Sequence, residues 1–74
     1  KIVIMTDITG GSPFKSAVTY AVSDDRLNVI SGTNVPMLVE LIFRRMNSDD
    51  SEDLIQSSMD AGKEQIVRFH KDML

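Results

Sequence analysis

Ile2, Val3, Ile4 and Met5 form an apolar run with no polar alternation, and that run restricts the possible fold more than any other feature of the chain. A strand with one wet face alternates, whereas an unbroken run of β-branched and other apolar residues marks a central strand of a parallel sheet covered on both faces. Parallel strands cannot be joined by a hairpin and need a crossover, usually a helix. The crossover follows directly. After Thr6 and Asp7 close the strand, Ser12 and Pro13 suit the N-cap and first position of a helix. Phe14, Ala17, Val18, Ala21 and Val22 then fall on one helical stripe. Ser23, Asp24 and Asp25 make a polar turn, and Leu27, Asn28, Val29 and Ile30 form a second short strand ending at Ser31 and Gly32. Together these make a right-handed βαβ unit.

Asn34 can cap the next helix, with Pro36 in its first turn. Its apolar residues Val35, Met37, Leu38, Val39, Leu41, Ile42, Phe43 and Met46 cover most of its circumference. Such a helix is expected to be buried on more than one side, against a sheet and against another helix or subunit. The acidic loop SDDSED then leads into a third helix, with Ser51 as N-cap and Glu52 and Asp53 in the first turn, where the helix dipole favours negative charge. This helix runs through Ile55, Met59 and Gly62 towards Ile66. The tail IVRFHKDML fits either a continuation of the helix or a short edge strand. The expected fold class is therefore α/β, a parallel-sheet domain present in part. Two parallel strands and three helices leave open sheet edges, so the remaining strands are expected upstream or from a partner.

Composition supports a partial domain. A chain of 74 residues buries only about 60% of its unfolded surface, which makes a self-sufficient core marginal. Lys1 is not an initiator methionine and no signal-peptide pattern follows it, so residues 1–74 are read as a piece of something longer. Apolar residues at 42% and charged residues at 26% are ordinary for a globular protein, and no apolar stretch approaches a membrane span. The net charge of −3 argues against nucleic acid as a partner. The absence of cysteine excludes thiolate chemistry and disulfides and is compatible with the cytosol.

The chemistry is concentrated in TDITGGSPFK, residues 6–15. Gly10 and Gly11 are expected to take positive φ and to let the backbone approach a ligand, while the helix start offers amide hydrogens and partial positive charge to an anion. Ligands of open parallel sheets sit outside the carboxyl ends of the strands, where Asp7, Gly10 and Ser12 converge with the second loop, Gly32 to Asn34. A phosphoryl group fits there. The spacing is neither that of the P-loop nor that of the dinucleotide GxGxxG. Asp7 repels a neighbouring anion unless a group lies between them, and a histidine is the natural intermediary. No metal is expected: Asp24 with Asp25, and Asp49 with Asp50, read as solvated turns. Arg44 and Arg45 read as dipole complements at a helix end, and Met37 and Met46 as core.

TDITGGSPFK, followed by VISGTNVPMLVELI, an acidic loop and a helix containing AGKEQI, resembles the C-terminal half of the mannose-type enzyme IIA domain of the bacterial phosphotransferase system. The pattern of aspartate, GGSPF and GxNxPML is carried by Asp7, Gly10 to Phe14, Gly32, Asn34 and Pro36 to Leu38. Lys15 stands where the family commonly has asparagine. The resemblance implies a cytoplasmic phosphocarrier with no cofactor, in which a histidine in the family's first strand takes a phosphoryl group from the histidine-containing phosphocarrier protein and passes it to enzyme IIB. It implies that Asp7 hydrogen-bonds that histidine and that Ser12 helps to hold the phosphoryl group. The acceptor histidine is then absent from this chain, because His70, its only histidine, lies outside both motifs. The resemblance further implies that the missing strands complete a doubly wound parallel sheet, in a homodimer in which a C-terminal edge strand, at Ile66 to Phe69, is exchanged between subunits. A regulatory IIA-like module of a transcription regulator and an unrelated phosphate- or nucleotide-binding α/β domain stand as alternatives.

Overall fold

In a computed structural model of the chain, residues 2–47 and 50–73 are described. Lys1 of the expected first strand, Ser48 and Asp49 of the expected acidic loop, and Leu74 lie outside them. Five principal elements follow in the order β1 (Ile2–Met5), α1 (Ser12–Ala21), β2 (Leu27–Ile30), α2 (Val35–Arg45) and α3 (Ser51–Glu64), with a 3-10 turn at Lys71–Met73. β1 and β2 pair in parallel, with Ile2 opposite Leu27 and Met5 opposite Ile30. The ladder is bracketed by Ile2 N donating to the Arg26 carbonyl at 2.7 Å and Thr6 N donating to the Ile30 carbonyl at 2.8 Å.

α1 is the crossover, and it packs on β2 through a narrower face than its pattern suggests. Ala17 is buried and Phe14, Val18 and Ala21 are half-buried, but Val22, expected on the stripe, is 81% exposed. It is the C-cap of the helix, where the chain has already begun to turn away. The turn is held by Asp24, whose carboxylate accepts from the Arg26 amide at 3.0 Å and from the Arg26 guanidinium at 3.0 and 2.8 Å. It is thus a turn residue paired with an arginine.

α2 and α3 pack together through a seam that is polar and small rather than apolar. Ser58, fully buried, donates from its hydroxyl to the Met37 carbonyl at 2.9 Å. One turn further along α3, the buried Gly62 accepts at its carbonyl from the Asn34 side-chain amide at 3.2 Å. A Cβ on Gly62 would collide with Met37 Cγ, and would lie 2.9 Å from Met37 Sδ and 3.1 Å from Asn34 Oδ1. Serine and glycine spaced one turn apart therefore let the helices approach with Met37, only 4% exposed, wedged between them.

Two expectations are corrected, and of the two alternatives for the tail the helical one is set aside. The N-cap of α3 is Asp50 rather than Ser51, because the Asp50 carboxylate accepts from both Glu52 N and Asp53 N, at 3.1 and 3.2 Å. α2 is not covered on several sides: Val35, Leu38, Val39, Ile42, Phe43 and Met46 are all exposed, since two strands and one neighbouring helix supply too little surface to cover them. Met46, expected in the core, is among these. The tail does not extend α3, which ends at Glu64 with Gln65 as its C-cap, and residues 66–70 form neither helix nor ladder within the chain.

Gly62→Ala is expected to destabilise the chain by about 1–3 kcal/mol through overpacking, despite the roughly 1 kcal/mol that alanine gains in a helix interior; a thermal melt that rises instead would show the seam to be loose. A pH titration checks the turn. Arg26, through its side chain and then its amide, holds the Asp24 pKa below the ordinary 3.8, so the folded state binds this proton less readily than the unfolded one. The stabilisation is present above pH 3.8 and is lost as pH falls through the lower folded value. Melting-temperature differences between the unsubstituted chain and Asp24→Asn should accordingly narrow as the pH is taken below 3.8.

Candidate functional site

The ladder does not stop where the strands end. Gly32 N donates to the Asp7 carbonyl at 2.9 Å and Thr33 N to the Thr6 carbonyl at 3.1 Å, so the two loops at the carboxyl ends of β1 and β2 lie side by side. Thr6, 7% exposed, adds a bond from its hydroxyl to the Ile30 carbonyl at 3.3 Å. Gly32 takes a left-handed φ of 70° to permit this path. The structure therefore brings Asp7 and Gly32 together, as the sequence leads one to expect.

The first loop turns sharply. Gly11 N returns to the Ile8 carbonyl at 3.0 Å, and Gly10, the third residue of this four-residue turn, has φ 82°. That is the type II pattern, which demands glycine at its third position. Gly11 does different work from the expected positive φ. Its φ is −71°, and a Cβ there would lie 3.2 Å from the Ile8 carbonyl oxygen, so Gly11 permits a close backbone approach. Asp7 is exposed, and its Oδ1 accepts from Ile8 N at 2.8 Å.

α1 begins one residue earlier than expected. Gly11 is its N-cap, Ser12 is its first residue rather than the cap, and Pro13 follows. No side chain caps it. α2 and α3, by contrast, have their first-turn amides taken by Asn34 and Asp50. The first turn of α1 holds no acidic residue, and Ser12 is exposed beside these amides. A helix start of this kind offers donors and partial positive charge to an anion. At the second loop, Asn34 is occupied structurally: Oδ1 accepts from Met37 N at 3.2 Å while the amide nitrogen reaches Gly62. It fixes the loop through both ends of its side chain.

Residues that the sequence does not single out complete the arrangement. The hydroxyls of Thr9 and Ser31 bond across the two loops, and the Thr33 hydroxyl is buried with no partner among the described residues. The only available signal was a cluster of hydroxyl residues after each strand, which becomes meaningful once the parallel register is known. His70 lies exposed between α3 and the 3-10 turn. Arg44 bonds Glu40 at 2.9 Å, one turn away, and approaches Asp53 at 4.0 Å, which leaves it in a surface network on α2 and α3. Among the described residues no group of three or more His, Cys, Asp or Glu could hold a metal ion. No helix among them is long and apolar enough to cross a membrane.

Comparison with known proteins places this geometry. A family model described as PTS system fructose IIA component matches residues 1–59. The PTS system mannose-specific EIIAB component of Escherichia coli (strain K12) is 33% identical over 63 residues, covering 85% of this chain and 20% of that protein. The PTS system fructose-specific EIIA component of Bacillus subtilis (strain 168) is 31% identical over 45 residues, covering 61% of this chain and 31% of that protein. A crystal structure of phosphotransferase system component EIIA from Streptococcus agalactiae superposes with a TM-score of 0.84 at 32% identity, over 93% of this chain and 55% of that one. The chain thus spans between a fifth and a third of these curated relatives and about half of the solved neighbour. With its parallel strands, its glycine turn and its matched residues 1–59, the chain belongs to the mannose-type EIIA family of the phosphotransferase system.

Proposed function

We propose that this chain is the phosphoryl-binding half of an EIIA domain, the C-terminal part of a single domain that relays phosphate in a sugar phosphotransferase system. The whole domain takes a phosphoryl group from the histidine-containing phosphocarrier protein onto a histidine and delivers it to an EIIB domain, in the cytoplasm. The observation that carries this reading is the uncapped start of α1, aligned with the carboxyl ends of two parallel strands and five residues beyond Asp7.

Phosphoryl transfer asks little covalent work of the protein and much positioning and charge stabilisation. In each transfer the nitrogen–phosphorus bond to the donor histidine breaks as a nitrogen–phosphorus bond to the acceptor forms. The group in flight spreads its charge over three equatorial oxygens. First-turn amides of α1 and the Ser12 hydroxyl donate to these oxygens, assisted by the helix dipole, and Gly10 and Gly11 bring the backbone close enough. Asp7 accepts from the far nitrogen of the acceptor imidazole, which fixes the tautomer and leaves the near nitrogen free to attack. Gly32 and Asn34 shape the adjoining wall. The acceptor histidine belongs to a strand that pairs with the open edge of β1, and a group from the same region satisfies the buried Thr33 hydroxyl.

The homodimer belongs to the same proposal. A groove of about 460 Å³ follows the open edge of β2 from Leu27 to Ser31, walled by Glu52, Ile55 and Met59 of α3. Residues 66–70 leave Ile66, Val67 and Phe69 exposed just after α3. Exchange of this segment into a partner's groove would pair both open backbones and cover those side chains.

The test uses the full-length parent and the 74-residue chain, each given phosphoenolpyruvate, enzyme I and the phosphocarrier protein. The parent should gain acid-labile phosphate on a histidine upstream of Lys1 and the shorter chain should gain none; label on His70 would sink the assignment. In the parent, Asp7→Ala and Ser12→Ala should each slow transfer by about 10- to 100-fold while the melting temperature barely moves. Parallel loss of rate and of stability would point to a structural turn instead.

A further inference from the structure

We propose that Thr9 and Ser31 form a clamp that positions the phosphoryl-binding turn, a role that rests on the phosphoryl reading above. Their hydroxyl oxygens are 2.5 Å apart, joining residues 22 positions apart in sequence. Thr9 occupies the second residue of the Ile8–Gly11 turn, the outer corner. That corner tolerates most residues, with proline favoured, so the turn itself has no need of a hydroxyl there.

The turn does need an anchor. Ile8, Thr9 and Gly10 are all exposed, Ile8 by 66%, so no packing holds the turn from outside. Two consecutive glycines leave its backbone soft. Ser31, by contrast, sits on firm ground: Ile30 before it is 5% exposed at the end of the ladder, and Gly32 after it is bonded to the Asp7 carbonyl. The clamp therefore ties the soft turn, at its second residue, to the rigid second loop. Pinning that corner sets the direction in which Gly11 and the first residues of α1 present their amides. Phosphoryl transfer depends on such aim, since displacement by an ångström can cost orders of magnitude in rate. An exposed pair of hydroxyls adds little to folding stability, which separates the clamp from the buried bonds of Thr6 and Ser58.

The experiment uses the full-length parent protein and phosphorylated phosphocarrier as donor, followed by rapid quenching. Thr9→Val and Ser31→Ala should each lower the limiting transfer rate by about five- to tenfold, leaving the half-saturating donor concentration within about twofold. The double variant should lose no more than either single one, because both remove the same bond. Thr9→Ser should retain the parental rate, and all variants should melt within about 3 °C of the parent. Amide exchange at Gly11 and Ser12 should quicken in the slow variants alone. Single variants that transfer at the parental rate, or losses that multiply in the double variant, overturn the clamp while the parent still takes phosphate. A parent that takes no phosphate overturns the phosphoryl reading, and the positioning role with it.

Discussion

Three backbone hydrogen bonds carry the parallel pairing of β1 and β2 past the strands themselves: Thr6 N to the Ile30 carbonyl, Gly32 N to the Asp7 carbonyl and Thr33 N to the Thr6 carbonyl. The rest of the arrangement depends on this continuation. It sets Asp7 beside Gly32, brings Thr9 within reach of Ser31, and launches the glycine turn from a fixed base. Because main-chain atoms make the bonds, the Asp7 side chain is not needed to hold the two loops together and remains available for chemistry. Gly32 has no such freedom, as its left-handed backbone is a condition of the path.

The reading of the sequence succeeded where a pattern is repeated and was uneven where a single residue decides: Asn34 caps α2 as expected, whereas α1 and α3 each start one residue earlier. Ile2–Met5 and Leu27–Ile30 are strands, and the helical stripe that begins at Phe14 is α1, because several residues in each vote for the same period. Helix starts are another matter. Gly11 and Ser12 are both acceptable caps, as are Asp50 and Ser51, and the choice falls to whichever has the extended backbone. In both cases it is the earlier residue. The apolar circumference of α2 implies burial on more than one side, and the structure departs from it because nothing among the described residues covers Val35, Leu38, Val39, Ile42, Phe43 or Met46. Thr9 and Ser31 were invisible for a different reason: nothing in either local sequence refers to the other, and only the strand register brings them together.

The seam between α2 and α3 shows how so small a chain holds its second loop still. Buried hydrophobic side chains among the described residues are Ala17, Ile30 and Met37, too few to order two helices by apolar burial alone. Polar bonds take over, each well satisfied. Asn34 caps α2 and reaches Gly62, and Ser58 reaches Met37, so the donors and acceptors brought into the seam find partners there. α3 is thereby attached to the loop that flanks the site, and the segment after α3 inherits that attachment.

The shape of the molecule has a consequence for how it comes apart. Its Cα atoms fill a slab of 50 × 31 × 13 Å with a radius of gyration of 14.3 Å, against about 11 Å for a compact domain of this length. A slab one side of which awaits another layer conceals little surface, and both the denaturant slope and the heat-capacity change of unfolding follow the surface concealed. Such a chain is expected to melt over a broad range with a shallow slope; within the EIIA domain proposed above, the same residues would take part in a steeper, more cooperative transition. The difference between the two slopes would measure how much of the order in these residues is lent by the rest of that domain.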